Sequence, residues 1–155
     1  MRDHGLSGFD PHVTVKGQVG LDDPDRWLRP VEQRLALLAP VVVRLGQPDW
    51  FGEEVLFLTV EGDVQRLHQG VLDALDTAGV EEKWQYDGAG FHPHLTLGAV
   101  WAGAARQQLR AMAGAATALR LEPFVTDGVH VYRRMGLGQP HSPWREIQLG
   151  TESRR

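Results

Sequence analysis

Alternating and helical spacings of apolar residues divide the chain into elements. His12-Val-Thr-Val-Lys16 alternates polar and apolar positions with β-branched residues, which predicts a strand. After a turn region at 17–23, Asp23-Pro24 marks a helix start, with Asp as N-cap and Pro at the first helical position. Trp27, Val31, Leu35 and Leu38 then fall on one helical face. Pro30 is a place where that helix would kink or truly begin. Residues 41–45 read as a strand, 46–52 as a loop around Pro48, and 55–60 as an apolar strand buried on both faces. Asp63 opens a helix with Val64, Leu67, Val71, Leu72 and Leu75 along one stripe, closed by Gly79. His68 on that helix is expected at the surface. Residues 85–91 form a Gly-rich loop.

The opening pattern then returns. His94-Leu-Thr-Leu97 reads as a strand behind Pro93. Residues 104–116 read as a helix with Ala105, Leu109, Met112 and Ala116 inward. Residues 119–124 and 129–134 read as strands, 136–143 as a loop and 144–149 as a last strand. The tail, 151–155, is expected to fray. The order strand–helix–strand–strand thus occurs twice, from His12 and from His94, a repeat of architecture and not of detailed sequence. It predicts a bilobal, pseudo-twofold α+β fold: two mainly antiparallel sheets with helices on their outer faces. One domain would span 1–155, with lobe one at about 12–60, lobe two at about 94–149 and a linking helix at about 63–79.

Composition narrows the chemistry. The 155 residues are 42 % apolar and 23 % charged, values of an ordinary globular domain. There is no cysteine, which excludes a disulfide scaffold, a Cys-ligated metal and a thiol nucleophile. A formal charge of −4 argues against coating long nucleic acid by bulk electrostatics, so a nucleic-acid substrate would be small or held at one end. The start of the chain carries no apolar signal-peptide core and no run approaches a membrane span, so a soluble, cytoplasmic protein is the expectation. Seven histidines remain as the most versatile groups.

Two of them are patterned. His12-Val-Thr-Val and His94-Leu-Thr-Leu share the form His–apolar–Thr–apolar, each behind a proline. Chance predicts about 0.06 matches of this form in a chain of this composition. On a strand, residues two apart point to one face, so each His projects beside its Thr while the apolar residues enter the core. Across a pseudo-twofold the two His–Thr pairs would face each other over a central cleft. Two imidazoles titrating near neutrality suit paired general acid and base work. Hydroxyls of Thr14 and Thr96 can donate to non-bridging phosphoryl oxygens, where charge develops. For a single motif, a half-buried histidine beside a β-forming threonine would explain as much; the symmetric pair favours chemistry.

Pro11-His12-Val-Thr-Val-Lys16 and Phe91-His-Pro-His94-Leu-Thr-Leu-Gly98 resemble the paired motifs of the two-histidine (2H) phosphoesterase superfamily. Its best-known branch is the 2′-5′ RNA ligase / RNA 2′,3′-cyclic phosphodiesterase family. The likeness runs from Pro11 to Leu149, including the loop before the apolar strand and the closing strand with Trp144. The resemblance implies His12 and His94 as the catalytic pair, Thr14 and Thr96 as phosphate binders, and hydrolysis of a 2′,3′-cyclic phosphate to a 2′-phosphate. The resemblance also implies a 2′-5′ RNA ligase activity beside the hydrolysis. A nucleotide- or RNA-end-binding module without useful catalysis, and a phosphodiesterase acting on a non-RNA cyclic phosphate, are the alternatives. Family members usually open with a further strand and helix, whereas here 11 residues precede His12. One sheet is therefore expected to be a strand short, or to use the closing strand in that place.

Secondary candidates follow from alternation. Lys16 shares the face of Thr14 and can bring positive charge to the phosphate, or be a solvated strand-end lysine. Val129 and Val131 share one face of their strand, and His130, Tyr132 and Arg134 the other. If that polar face lines the cleft, Tyr132 can stack on a base and Arg134 can pair with a phosphate, with His130 beside them. His92-Pro-His94 lacks further ligands at metal spacing, so no metal or other cofactor is expected. The expected partner is an RNA terminus or a small nucleotide met by a monomer, with no long-duplex DNA and no membrane.

Overall fold

A computed structural model describes residues 11–17, 23–81, 84–134 and 141–150. Among these are α1 (Pro24–Leu35), β1 (Val41–Phe51), β2 (Val55–Gly62), α2 (Val64–Thr77), β3 (His94–Ala99), α3 (Arg106–Thr117), β4 (Phe124–Thr126), β5 (Gly128–Arg134) and β6 (His141–Gln148). The strands form an antiparallel sheet ordered β3-β2-β1-β4 and an antiparallel β5-β6 pair. The chain is therefore α+β with two antiparallel sheets, as expected. Sheet membership nonetheless crosses the two halves of the sequence: β1 and β2 pair with β3 and β4 from beyond residue 90.

The helix α1 starts at Pro24 and continues through Pro30. An internal proline removes one hydrogen bond and crowds the preceding turn, at a cost of about 3 kcal/mol. Burial of Trp27, Val31 and Leu35 against α2 offsets that cost. Arg26 of α1 adds a polar tie by donating to the carbonyls of Ala78 and Gly79 at 3.1 and 2.7 Å, where α2 ends. Gly79 turns the chain there with φ +67°, a conformation that favours glycine.

Four strand expectations change, that of the last strand among them: β6 starts at His141, inside the stretch expected as a loop, and not at 144. β1 does not stop at residue 45: it runs to Phe51, and the register with β2 shifts between Leu45 and Pro48. Pro48 has no N–H to donate, and a bulge is where a strand tolerates that loss. The strand expected at 119–124 is the short β4 at the sheet edge instead. The strand expected at 12–16 is represented by a single antiparallel bridge, Val13 to Leu95. By contrast, β2 is buried on both faces, with Leu56, Phe57 and Leu58 all below 5 % exposed.

Two apolar clusters result. One joins α1 and α2 to Val41, Val43, Ile147 and Leu149, with Val13, Val15, Phe91, Val129 and Val131 packed on it. The other lies under α3, around Leu56, Ala104 and Leu109. Ala105, expected inward, is exposed because it is the N-cap residue and precedes the buried stripe. His68, expected at the surface, is fully buried. It lies four residues after Val64 and three before Val71, so it sits inside the apolar stripe of α2. No helix among the described residues is long and apolar enough to cross a membrane.

Candidate active site

The antiparallel ladder between β2 and β3 places His94 opposite Thr59 and Thr96 opposite Phe57. Directly paired residues project to the same face. His94 and Thr96 therefore share the Phe57 side, while Leu97 packs in the cluster under α3. The His94 ring stands edge-on to Phe51 and Phe57, at centroid separations of 4.8 and 5.4 Å. Phe51 and Phe57 stack on each other at 4.1 Å and form a floor beneath it.

His94 Nδ1 lies 2.7 Å from the carbonyl oxygen of His92. A carbonyl only accepts, so Nδ1 carries the proton and donates. In the neutral ring the lone pair is then on Nε2. Burial pushes the His94 pKa below the usual histidine value. The hydrogen bond to His92 opposes this, and the charges of His92 and His12 add to the lowering. The neutral, proton-accepting form is thus favoured at pH 7.

The segment carrying His12 lies beside two elements. Val13 bridges to Leu95 of β3, and the His12 ring is 6.3 Å from the ring of Tyr132 on β5. Arg134 pairs with His141 across β5 and β6. Burial, then the charges of Arg134 and His12, hold the His141 pKa below its usual value. His12, His94, Tyr132, Arg134 and His141 therefore share one neighbourhood. His130 is exposed and pairs with Glu146 of β6. Thr14 is exposed and Thr96 half-buried. Lys16, expected to bring charge to the phosphate, has its Nζ 2.9 Å from Asp87, and the two side chains are only 4 % and 10 % exposed.

Residues that sequence reasoning set aside also enter this neighbourhood. His92, separated from His94 by Pro93, still brings its ring to 6.3 Å from it and edge-on to both phenylalanines. His141 had no patterned neighbour along the chain and becomes significant only through cross-strand pairing. Phe51 was assigned to a loop, and the bulged extension of β1 is what delivers it. Among the described residues, no three His, Asp or Glu side chains group as metal ligands would. A hollow of about 250 Å³ between β1 and the end of α3 is lined by Arg44, Gln47, Arg120 and Glu122, among others, and by none of the motif residues.

No curated protein matches the chain. The family model of the 2′-5′ RNA ligase superfamily matches residues 2–137, a span that holds both His-x-Thr motifs, β1 to β5 and all three described α-helices. Membership carries with it the two-histidine phosphoesterase or ligase type of activity. With most of its length so matched, this chain belongs to the 2′-5′ RNA ligase superfamily.

Proposed function

We propose that the protein hydrolyses a 2′,3′-cyclic phosphate, on an RNA terminus or a small nucleotide, to a 2′-phosphate without a metal ion. His12 and His94 act as the acid–base pair. The observation that carries this reading is the antiparallel bridge between Val13 and Leu95. Continued one residue to either side, that register would set His12 opposite Thr96 and Thr14 opposite His94, with the four side chains on one face.

The depressed pKa of His94 and its Nδ1–H tautomer support assigning it as the base. Water attacks phosphorus in line with the P–O3′ bond. His94 Nε2 takes a proton from that water as the new P–O bond forms. The P–O3′ bond breaks, and the leaving oxygen takes a proton from the His12 imidazolium. Thr14 and Thr96 donate to the non-bridging oxygens as charge builds on them. Tyr132, near His12, offers a stacking surface for the base, and Arg134 a partner for a phosphate. Ligation to a 2′-5′ bond is the same ring opening with a 5′-hydroxyl in place of water, and water at about 55 M exceeds millimolar ends by nearly five orders of magnitude.

The test is a panel of 2′,3′-cyclic mononucleotides, short RNAs with cyclic phosphate ends and 2′-5′-linked dinucleotides, assayed with and without EDTA. Turnover of cyclic phosphates to 2′-phosphates, unchanged by EDTA, is the expected result. Saturable binding without turnover would overturn the reading.

A further inference from the structure

The fully buried histidine of α2 plays no part in the chemistry above, yet both of its ring nitrogens are engaged. His68 Nδ1 lies 2.7 Å from the carbonyl oxygen of Val15 and must donate to it. The backbone N–H of Gly88 donates to His68 Nε2 at 2.9 Å. The ring is therefore neutral, with the proton on Nδ1. Its face stacks on Phe91 at 3.9 Å with the planes within 6°. Beside these contacts, Lys16, next after Val15, brings its Nζ to 2.9 Å from Asp87, which directly precedes Gly88. Asp87 also accepts from the Trp84 backbone N–H at 2.8 Å.

These contacts join two specific stretches of chain. Val15 and Lys16 directly follow His12-Val-Thr, and Asp87 to Phe91 lead directly into His92-Pro-His94. Among the described residues, the only β-bridge holding the first stretch is Val13 to Leu95. A single bridge leaves that stretch free to pivot. A second tie two residues away removes the pivot, and a buried polar tie is specific in direction where apolar packing is not.

We propose that His68 is a positioning residue that sets the placement of His12 relative to His94, with the Lys16–Asp87 pair as the second arm of the same clamp. The proposal rests on the paired-histidine reading for its effect on turnover, but its effect on geometry is independent of it. The separate bonds of the ring's two nitrogens make it divisible. Asn in place of His68 keeps a donor near the position of Nδ1, and Gln keeps an acceptor near that of Nε2.

The experiment compares His68→Ala, His68→Asn, His68→Gln and Asp87→Asn in the full chain. Each is measured by circular dichroism, by imidazole NMR signals of His12 and His94, and by turnover of a 2′,3′-cyclic mononucleotide. At a temperature where His68→Ala is folded, kcat should fall at least about tenfold with KM changing less, as for loss of about 1.4 kcal/mol or more of transition-state alignment. The His12 signals should shift, and Asn or Gln should restore part of kcat. If His68→Ala does not fold, the near-isosteric Asn and Gln variants carry the same comparison. Folded variants with unchanged His12 and His94 signals and the parent kcat would overturn the clamp. If the parent protein itself turns over no cyclic phosphate, the reaction assignment fails, and the NMR shifts alone decide the clamp.

Discussion

At the scale of single residues, the candidate site is governed by how each imidazole is held. His94 is half-buried on an aromatic floor with its Nδ1 proton committed to the His92 carbonyl. Burial leads the depression of its pKa, so protonation of the folded protein is delayed to a pH below the ordinary histidine range. Two consequences differ in their readout. The acid limb of the kcat/KM–pH profile should fall below pH 6.5, the usual histidine value, because the base stays neutral further into acid. Stability should also drop as pH falls through that same window, since the unfolded chain takes up the proton first. An acid limb above 6.5 would contradict the role given to His94. Thr96→Val tests the hydroxyl in turn: it should lower kcat by about 10²-fold while the fold is kept, as for loss of one donor to a developing oxyanion.

Elements decide which residues reach that site, and here the limits of the sequence are instructive. Helical and strand periodicity located α1, α2, α3, β2, β3 and β5 because each buries a regular stripe or face. It stopped β1 at residue 45, because Pro48 is a strand breaker unless a bulge accommodates it, and bulges leave no period to read. Residue type then misplaced His68, although its spacing matched the buried stripe of α2. The motif histidines were legible because duplication made them improbable by chance. His92 and His141 were not, because their approach depends on cross-strand pairing and on a Pro-interrupted segment. The Lys16–Asp87 link was invisible for the same reason, as its partners are 71 residues apart.

That link also yields an element-scale expectation. Burial alone would push the Asp87 carboxyl up, but the Trp84 N–H and the Lys16 ammonium hold it below the usual carboxylate value. Its contribution to stability is thus complete above pH 3.8 and lost as pH falls through the folded value. Asp87→Asn should cost about 3 kcal/mol at neutral pH, because it leaves the Lys16 charge buried without its counterpart. Urea unfolding reads this directly, and a change below about 0.5 kcal/mol would show that the pair is solvated in solution. Leu35→Ala, on the α1–α2 contact, should cost about 2–5 kcal/mol while leaving kcat per folded molecule unchanged. A loss of kcat there would tie the helix pair to the chemistry.

For the molecule as a whole, the bridge from Val13 to Leu95 sets the two motif segments side by side. β3 joins the larger sheet, β5 and β6 supply Tyr132, Arg134 and His141 on the other side, and the first motif lies between them. A net charge of −4 over this framework fits recognition of a compact anionic end more than of a long polyanion. Turnover of cyclic-ended RNAs should therefore vary little with length beyond the terminal nucleotides. A kcat/KM rising steadily with RNA length would instead indicate an extended basic surface. The most direct test of the central claim is turnover of a 2′,3′-cyclic phosphate by His12→Ala and His94→Ala, each confirmed as folded. The account expects each to lose at least about 10²-fold in kcat, as for removal of a general acid or base. Near-parent rates in both variants would contradict it.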